Sequence, residues 1–334
     1  MTRQRLTLPR TAARPSDLST GLSDFIDQYD SWLIDQWGVL FDATAPYPGV
    51  IEALEKLASM GKDVVLLSNS SKRRADAVKN LINKMKLGEP GGLYRDIITS
   101  GEVGHHYVIS CQHPVMRPGS KVLCCGSGDG DADYVEGMGC SLADGPEDCD
   151  WILARGNFVV VTSTGQVDVP AGTIEDNFLE QTTFFMEESG PLFLAARRGV
   201  PMLVTNPDMI RPGTNSPMPG RIGAIYASEG LGGDVHYVGK PYGAVYDEAF
   251  KSLQNRATNR QRTVMVGDAM PTDVLGGKRN GCGGTVLVAH GIHAQCLGVT
   301  EGGSESPEEQ RISSFLEQYA PDERPTHIVP AFRL

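Results

Sequence analysis

Short apolar runs alternate with helix-length amphipathic segments over most of the chain. The runs "SWLIDQW", "KDVVLLS" and "RDIITS" have the length of strands, and "GVIEALEKLASM" and "SKRRADAVKNLINKMK" between them have the spacing of amphipathic helices. The alternation returns later as "VHYVG", "AVYDEAFKSL", "RTVMVG", "PTDVLGGKRNG" and "GTVLVAH". Strands that alternate with helices predict a parallel sheet covered on both faces. We therefore expect an α/β fold with a doubly wound, Rossmann-like parallel sheet.

The pattern of predicted strands and helices changes in the middle of the chain, and this change predicts an inserted domain. The segments "KVLCCGSGDGDADYVEGMG" and "DWILARG" indicate a smaller α/β unit, and "NFVVVTSTGQVDVPAG" indicates a long loop or hairpin. Helices over about 173–198 and a strand "PMLVT" follow. Because the earlier pattern resumes on either side, we assign residues 110–205 to an inserted α/β domain and residues 21–109 and 206–334 to the core.

The segment ahead of this pattern is basic. The stretch "MTRQRLTLPRTAARPS" contains four arginines and no acidic residue. This composition fits either a transit peptide for a mitochondrion or plastid or a disordered basic tail, and both interpretations stay open for residues 1–20.

Composition excludes several classes of function. A net charge of −11 in 334 residues argues against a nucleic-acid surface. No apolar stretch approaches the roughly 18 residues of a membrane span. The seven cysteines include no C-x-x-C pair, which is typical of reduced thiols in an intracellular protein, and we expect a cytoplasmic location unless the tail is a targeting signal.

Two polar groups stand at predicted strand ends in the first part of the core. In an open parallel sheet, ligands bind beyond these ends. Asp35 follows "WLI", where an aspartate can attack phosphorus or simply cap a turn. Ser68 ends "VVLLS" and Asn69 follows it, where hydroxyl and backbone N–H groups can bind phosphate oxygens or cap a helix.

Two further groups stand at strand ends late in the chain. Lys240 follows an apolar strand and can neutralise a phosphoryl group and nearby carboxylates, or it can be a solvated lysine before a helix. Asp268 closes "VMVG" and Asp273 lies in the first turn of the next helix. Together these acids make an oxygen-rich site suited to Mg²⁺, although Asp273 can instead complement the helix dipole.

The order of these features is more specific than any one of them. D at one strand end, S-N at the next, K-P later and G-D-x-x-x-x-D last resemble the haloacid-dehalogenase-like hydrolase superfamily, from about Leu22 to Val288. The wording "LLSNSSKRR", "VTNPD" at 204–208 and "GGDVHYVGKPYGAVYDEAF" is similar to its class IIA branch, which includes 4-nitrophenyl phosphatase, phosphoglycolate phosphatase and pyridoxal phosphatase. The resemblance implies that residues 110–205 form an α/β cap over the active site.

The resemblance also implies a magnesium site. Asp35 would be the nucleophile and a Mg²⁺ ligand, with the backbone carbonyl of Trp37 and the Asp268 carboxylate as further ligands. Asp273 would steady the outer shell of the metal. Since Asp35 and Asp268 would repel each other, a cation is needed for both to stay ionised.

A phosphate site is implied beside the metal. Ser68 and Asn69 would hold the transferring phosphoryl group, and Lys240 would pair with that group and with Asp35. In-line transfer then needs little beyond positioning and charge stabilisation.

The chain departs from the family at one position, because the usual second aspartate of D-x-D is Trp37. That aspartate protonates the departing alkoxide and later activates water, and its loss typically costs on the order of 10²–10⁴ in rate. A sub-branch of class IIA shares the wording "D-x-W-G-V-L". Either another acid replaces the aspartate, with Asp42 as the candidate, or the enzyme is slow or selective for good leaving groups.

These features leave three hypotheses. The first is a Mg²⁺-dependent phosphatase that acts on a small phosphorylated metabolite through an aspartyl-phosphate. The second is a regulatory protein that binds phosphate and Mg²⁺ with little or no turnover. Carbon–halogen hydrolysis fits less well, because it does not need Asp268 and Asp273. Class IIA relatives often dimerise through the cap, so the resemblance is compatible with a homodimer.

Overall fold

A computed structural model describes residues 17–42, 44–173, 177–211, 216–253 and 260–334. Nearly all of the basic segment 1–20 lies outside these residues, so the choice between targeting peptide and tail stays a prediction. The strands of the described residues are β1 Asp17–Leu18, β2 Ser31–Ile34, β3 Asp63–Ser68, β4 Asp96–Thr99, β5 Lys121–Gly126, β6 Ser141–Leu142, β7 Trp151–Ala154, β8 Val159–Thr162, β9 Gly165–Asp168, β10 Met202–Val204, β11 Val235–Tyr237, β12 Thr263–Gly267, β13 Gly284–Val288 and β14 His327–Val329.

The helices occupy the segments between these strands. They are α1 Val50–Ser59, α2 Arg74–Asn83, α3 Ser100–Ile109, α4 Asp131–Gly137, α5 Leu179–Met186, α6 Pro191–Ala196, α7 Pro219–Ala227, α8 Gly243–Ser252, α9 Leu275–Arg279, α10 Ala294–Leu297 and α11 Glu309–Leu316. Short 3-10 turns cover Leu22–Asp24, Ile26–Gln28 and Arg260–Arg262, and a π-helical turn, Met270–Val274, leads into α9.

The core sheet confirms the predicted α/β fold. Its seven parallel strands run in the order β1-β14-β13-β12-β2-β3-β4. Alternate residues of one strand enter separate hydrophobic clusters: Leu33 of β2 packs into one cluster, and Trp32 and Ile34 pack into another. Both faces are therefore buried, which explains why these strands read as continuous apolar runs.

A second sheet forms the inserted domain, and this domain includes more of the chain than the sequence predicted. Its order is β11-β10-β7-β5-β8-β9, with β6 beside β5. We assigned 206–334 to the core, but β11 pairs in parallel with β10 of the second sheet, and α7 packs against β10. Helix α7 and strand β11 therefore lie with the inserted domain. The pattern could not reveal this, because parallel α/β units have the same periodicity in either sheet.

No helix among the described residues is both long and apolar enough to span a membrane.

Candidate active site

Three adjacent strands bring the predicted polar residues to one edge of the core sheet. Asp35 follows β2, Ser68 ends β3 and Asp268 follows β12, and these strands are neighbours in the order β12-β2-β3. The backbone N–H of Asp35 still donates to the carbonyl of Val266 in β12 at 2.8 Å, so the sheet fixes the start of the loop. Residues distant in sequence thus meet at the carboxyl edge of a parallel sheet.

A buried ionic cluster occupies this edge. The ammonium of Lys240 lies 2.6 Å from Asp35 Oδ1 and 2.7 Å from Asp273 Oδ1, and its side chain is only 2% exposed. Asp35, Asp268 and Asp273 each place a carboxylate oxygen within 4.8 Å of the others. The structure therefore brings Asp35, Asp268 and Lys240 together as predicted, and it places Asp273 in direct contact with the ammonium.

Backbone N–H groups orient the two acids that follow β12. Asp268 Oδ2 accepts from Ile292 at 2.8 Å, and Asp273 Oδ2 accepts from Ala269 at 3.0 Å. Gly38 has φ +76°, and a side chain there would overlap the Asp268 carboxylate. Only glycine permits this approach, and the approach brings the backbone just after Trp37 against Asp268.

Burial and mutual repulsion change the acidity of this cluster. Burial raises the pKa of Asp35 to about 7, with Lys240 opposing and Asp273 adding to the rise. Burial, together with Asp35 and Asp273, raises the pKa of Asp268 well above its usual range. Burial works against the charge of Lys240, but Asp273 and Asp35 outweigh it and raise the pKa of the ammonium. A further positive charge is therefore needed for Asp35 and Asp268 both to be ionised at neutral pH.

The donor set fits a hard divalent cation. Carboxylate oxygens such as those of Asp35 and Asp268 are the ligands that Mg²⁺ prefers, and Mg²⁺ usually completes its shell with water and substrate oxygens. Burial raises the pKa of both carboxyls, and a bound cation would favour their ionised forms.

Replacing Asp268 by asparagine is expected to stabilise the metal-free protein. A carboxyl whose pKa is raised on folding costs stability progressively as pH rises from about 4 through its folded-state value, and asparagine removes that charge while its oxygen can still accept from Ile292. We expect the Tm at pH 8 in chelator to rise by roughly 3 °C or more. The gain should vanish below about pH 3, where the carboxyl is protonated in both the folded and the unfolded protein. A lower Tm at pH 8 would contradict the repulsion described above.

The loop that was predicted to bind phosphate is tied to Lys240 by Asn69. The Asn69 side chain accepts from the N–H of Lys240 at 2.6 Å and donates to the Lys240 carbonyl at 3.2 Å and to Asp208 Oδ1 at 2.9 Å. Its amide is thus occupied, and only its backbone N–H is left for the phosphoryl role predicted for it. Ser68 Oγ accepts from Ser70 N–H at 3.2 Å, so its own proton remains available to a phosphate oxygen.

Sequence reasoning missed Asp208 as a site residue. It lies in the "VTNPD" segment, where the chain leaves β10, and burial raises the pKa of its carboxyl. The motif was visible in the sequence, but its contact with Asn69 joins residues 139 positions apart and could not be inferred from spacing.

The indole of Trp37 packs against hydrophobic side chains. It lies edge-on to Phe41, with ring centroids 6.5 Å apart, and contacts the hydrophobic cluster that contains Trp32 and Ile34. This packing supplies no proton donor in place of the usual aspartate.

Asp42 is held in a turn. Its Oδ1 accepts from the Thr44 N–H at 2.6 Å, the Thr44 hydroxyl at 2.7 Å and the Ala45 N–H at 3.0 Å. These donors, with the Thr44 N–H first, lower the pKa of Asp42. It is therefore ionised at neutral pH and has no proton to give to a leaving group. The geometry argues against the acid role that the sequence suggested for Asp42.

Two family models match the chain. One, described as haloacid dehalogenase-like hydrolase, matches residues 32–141, and a second, described as HAD-hydrolase-like, matches residues 237–333. The first match contains Asp35, Ser68 and Asn69, and the second contains Lys240, Asp268 and Asp273.

Named relatives align over most of the chain. The chain is 25% identical to a 4-nitrophenylphosphatase of Schizosaccharomyces pombe over 80% of this chain and 86% of that protein. It is 26% identical to phosphoglycolate phosphatase 2 of Arabidopsis thaliana over 87% and 92%. A crystal structure of a haloacid dehalogenase-like hydrolase from Brucella suis 1330 has the same fold, with a TM-score of 0.67, 21% identity and coverage of 94% and 99%.

Proposed function

The chain belongs to the haloacid dehalogenase-like hydrolases, in their class IIA branch, and we propose that it is a Mg²⁺-dependent phosphomonoester hydrolase acting on a small phosphorylated metabolite. The observation that carries the proposal is the buried contact of Lys240 with Asp35 beside Asp268 and Asp273. A cluster of this kind is costly to bury, which favours a functional role over a structural one.

Asp35 is the proposed nucleophile. One of its carboxylate oxygens attacks phosphorus, the bond between phosphorus and the ester oxygen breaks, and that oxygen leaves with the bonding electrons as an alkoxide or aryloxide that takes its proton from water. Water then attacks the aspartyl-phosphate, which releases phosphate and regenerates the carboxylate. Lys240 holds the Asp35 carboxylate in place and offsets charge on the phosphoryl group. When bound, Mg²⁺ supplies charge neutralisation at the same oxygens.

The phosphoryl oxygens have a separate set of donors. The Ser68 hydroxyl and the backbone N–H of Asn69 lie at the end of β3, next to the strand that carries Asp35. The Asn69 amide keeps this loop joined to Lys240 and to the Asp208 segment of the inserted domain. We propose these two residues as the phosphate-binding pair, acting through one hydroxyl and one backbone group.

Trp37 sets the expected selectivity. Because the chain carries an indole where its family has an acid, the departing oxygen receives no proton from position 37. Aryl and acyl phosphates leave as weakly basic anions and need little protonation, whereas alkyl phosphates need more.

Leaving-group dependence is therefore expected to be steep. With Mg²⁺ present, kcat/KM for aryl and acyl phosphates should exceed that for alkyl phosphates of similar size by on the order of 10² or more. A phosphate-release screen over such a matched panel, run with and without Mg²⁺, measures this directly. Equal rates across leaving-group pKa would show that another acid replaces the missing aspartate, and activity independent of Mg²⁺ would contradict the metal proposal.

A second candidate function is a regulatory protein that binds phosphate and Mg²⁺ without efficient turnover. Trp37 favours it, because the missing acid serves turnover and not binding. The retained Asp35 and Lys240 favour the enzyme. Saturable binding of a phosphate ester without phosphate release from any compound of the panel would support the second candidate.

A further inference from the structure

A second group of side chains that could hold a metal ion is separate from the active-site acids. His113, Asp234 and His236 each place one ligand atom within 4.8 Å of the others. His236 Nε2 lies 3.1 Å from Asp234 Oδ2, and the His113 and His236 rings meet edge to face with centroids 4.8 Å apart. Two imidazoles and one carboxylate make a donor set common at Zn²⁺ sites.

A neighbouring tyrosine orients the central histidine. The Tyr107 hydroxyl lies 3.4 Å from His236 Nδ1, where its oxygen can accept the ring proton. Without a cation, His236 Nε2 donates its proton to Asp234 Oδ2 at 3.1 Å; a bound cation would favour the tautomer protonated at Nδ1, which donates to Tyr107 and frees the Nε2 lone pair. A hydrogen bond of this kind to the non-ligating nitrogen is the usual support for a metal-bound histidine.

His113 is held on its loop by weaker contacts. Its Nδ1 accepts from the N–H groups of Val115 at 3.2 Å and Met116 at 3.4 Å. Both contacts are long, so a rotation of the side chain can exchange them for a bond to a cation.

The cluster lies where the chain enters and leaves the inserted domain. His113 lies in the segment between α3 of the core and β5 of the inserted domain, and Asp234 and His236 lie at β11. The chain then returns from β11 to the core, where it reaches Lys240. A cation bound here would link the connection that leaves α3 to strand β11 of the inserted domain.

We propose that His113, Asp234 and His236 form a binding site for a borderline divalent cation of the Zn²⁺ type, with Tyr107 as a positioning residue. Water completes the coordination shell, because the ligands His236 and Asp234 are themselves partly exposed to solvent. Mg²⁺ does not compete, since it prefers oxygen ligands while imidazole favours Zn²⁺, Co²⁺, Ni²⁺ and Cu²⁺. This site is independent of the proposed hydrolase activity.

The test is a Zn²⁺ titration of the full-length protein against a chromophoric chelator, with excess Mg²⁺ present to occupy the active site. His113→Ala and His236→Ala are each expected to weaken Zn²⁺ binding about 10-fold or more, and Tyr107→Phe is expected to weaken it several-fold. His106→Ala is a matched control. His106 is exposed on α3, the helix that carries Tyr107, and among the described acids it contacts only Glu102, at 3.5 Å. Cys111→Ser controls for the exposed thiol nearby.

The Co²⁺ form gives a second readout that depends on ligand type. The proposed site predicts visible d–d bands without a sulfur-to-metal charge-transfer band, and it predicts that His236→Ala removes those bands while Cys111→Ser keeps them. Wild-type affinity in the His113 and His236 variants, or loss of binding in Cys111→Ser, would overturn the proposal. Metal-free thermal unfolding of each variant shows whether the fold is intact.

Discussion

Replacing Asp35 by asparagine is expected to abolish phosphate release from every substrate, with a loss in kcat on the order of 10⁴ or more. The amide oxygen is a poor nucleophile, so the first chemical step has no attacking group. The fold should survive, because asparagine has the same shape and Lys240 keeps its contact with Asp273 at 2.7 Å. Phosphate release at saturating substrate measures the loss, and thermal unfolding measures the fold.

Asp42→Asn is the matched control for this variant. It makes the same chemical change seven residues further on, at a carboxylate that accepts three turn hydrogen bonds which an amide oxygen can also accept. Its activity should stay within a few-fold of wild type. A fully active Asp35→Asn protein would end the assignment of the nucleophile, and an inactive, folded Asp42→Asn protein would restore Asp42 as a candidate acid.

Replacing Trp37 by aspartate is expected to raise kcat/KM for alkyl phosphates by on the order of 10²–10⁴. The new carboxyl would stand at the family's usual position, two residues after the nucleophile, and could protonate the departing alkoxide. Aryl and acyl phosphates should gain far less, since their leaving groups need little protonation. The measurement is the ratio of alkyl to aryl kcat/KM in both proteins.

Trp37→Phe separates the chemical effect from packing. Phenylalanine keeps an aromatic ring against Phe41 but adds no carboxyl, so the alkyl-to-aryl ratio should not change. If Trp37→Asp folds with wild-type stability and still leaves alkyl turnover unchanged, the indole is not what limits these esters.

The core and the membership of the ionic cluster could be predicted because both follow from local patterns. Continuous apolar runs that each finish in a polar residue imply a buried parallel sheet with its polar groups at the carboxyl edge. Asp35, Ser68 and Asp268 therefore meet on adjacent strands, as expected from their positions in the pattern.

Features that depend on contacts between distant segments could not be predicted. The contact of Asn69 with Asp208, the pairing of β11 with the second sheet and the meeting of His113 with His236 each join residues that no spacing rule connects. The geometry disfavours the role suggested for Asp42 for a different reason, because a turn carboxylate and a catalytic acid look the same in sequence.

The most direct test of the account is to trap the phospho-enzyme. The protein is mixed with acetyl phosphate and Mg²⁺, quenched in acid, and its peptides are analysed by mass spectrometry. The account predicts one added phosphoryl group on the peptide that contains Asp35, and none in Asp35→Asn or without Mg²⁺. Hydrolysis of acetyl phosphate at an undiminished rate in Asp35→Asn, or a phosphoryl group on another residue, would contradict it.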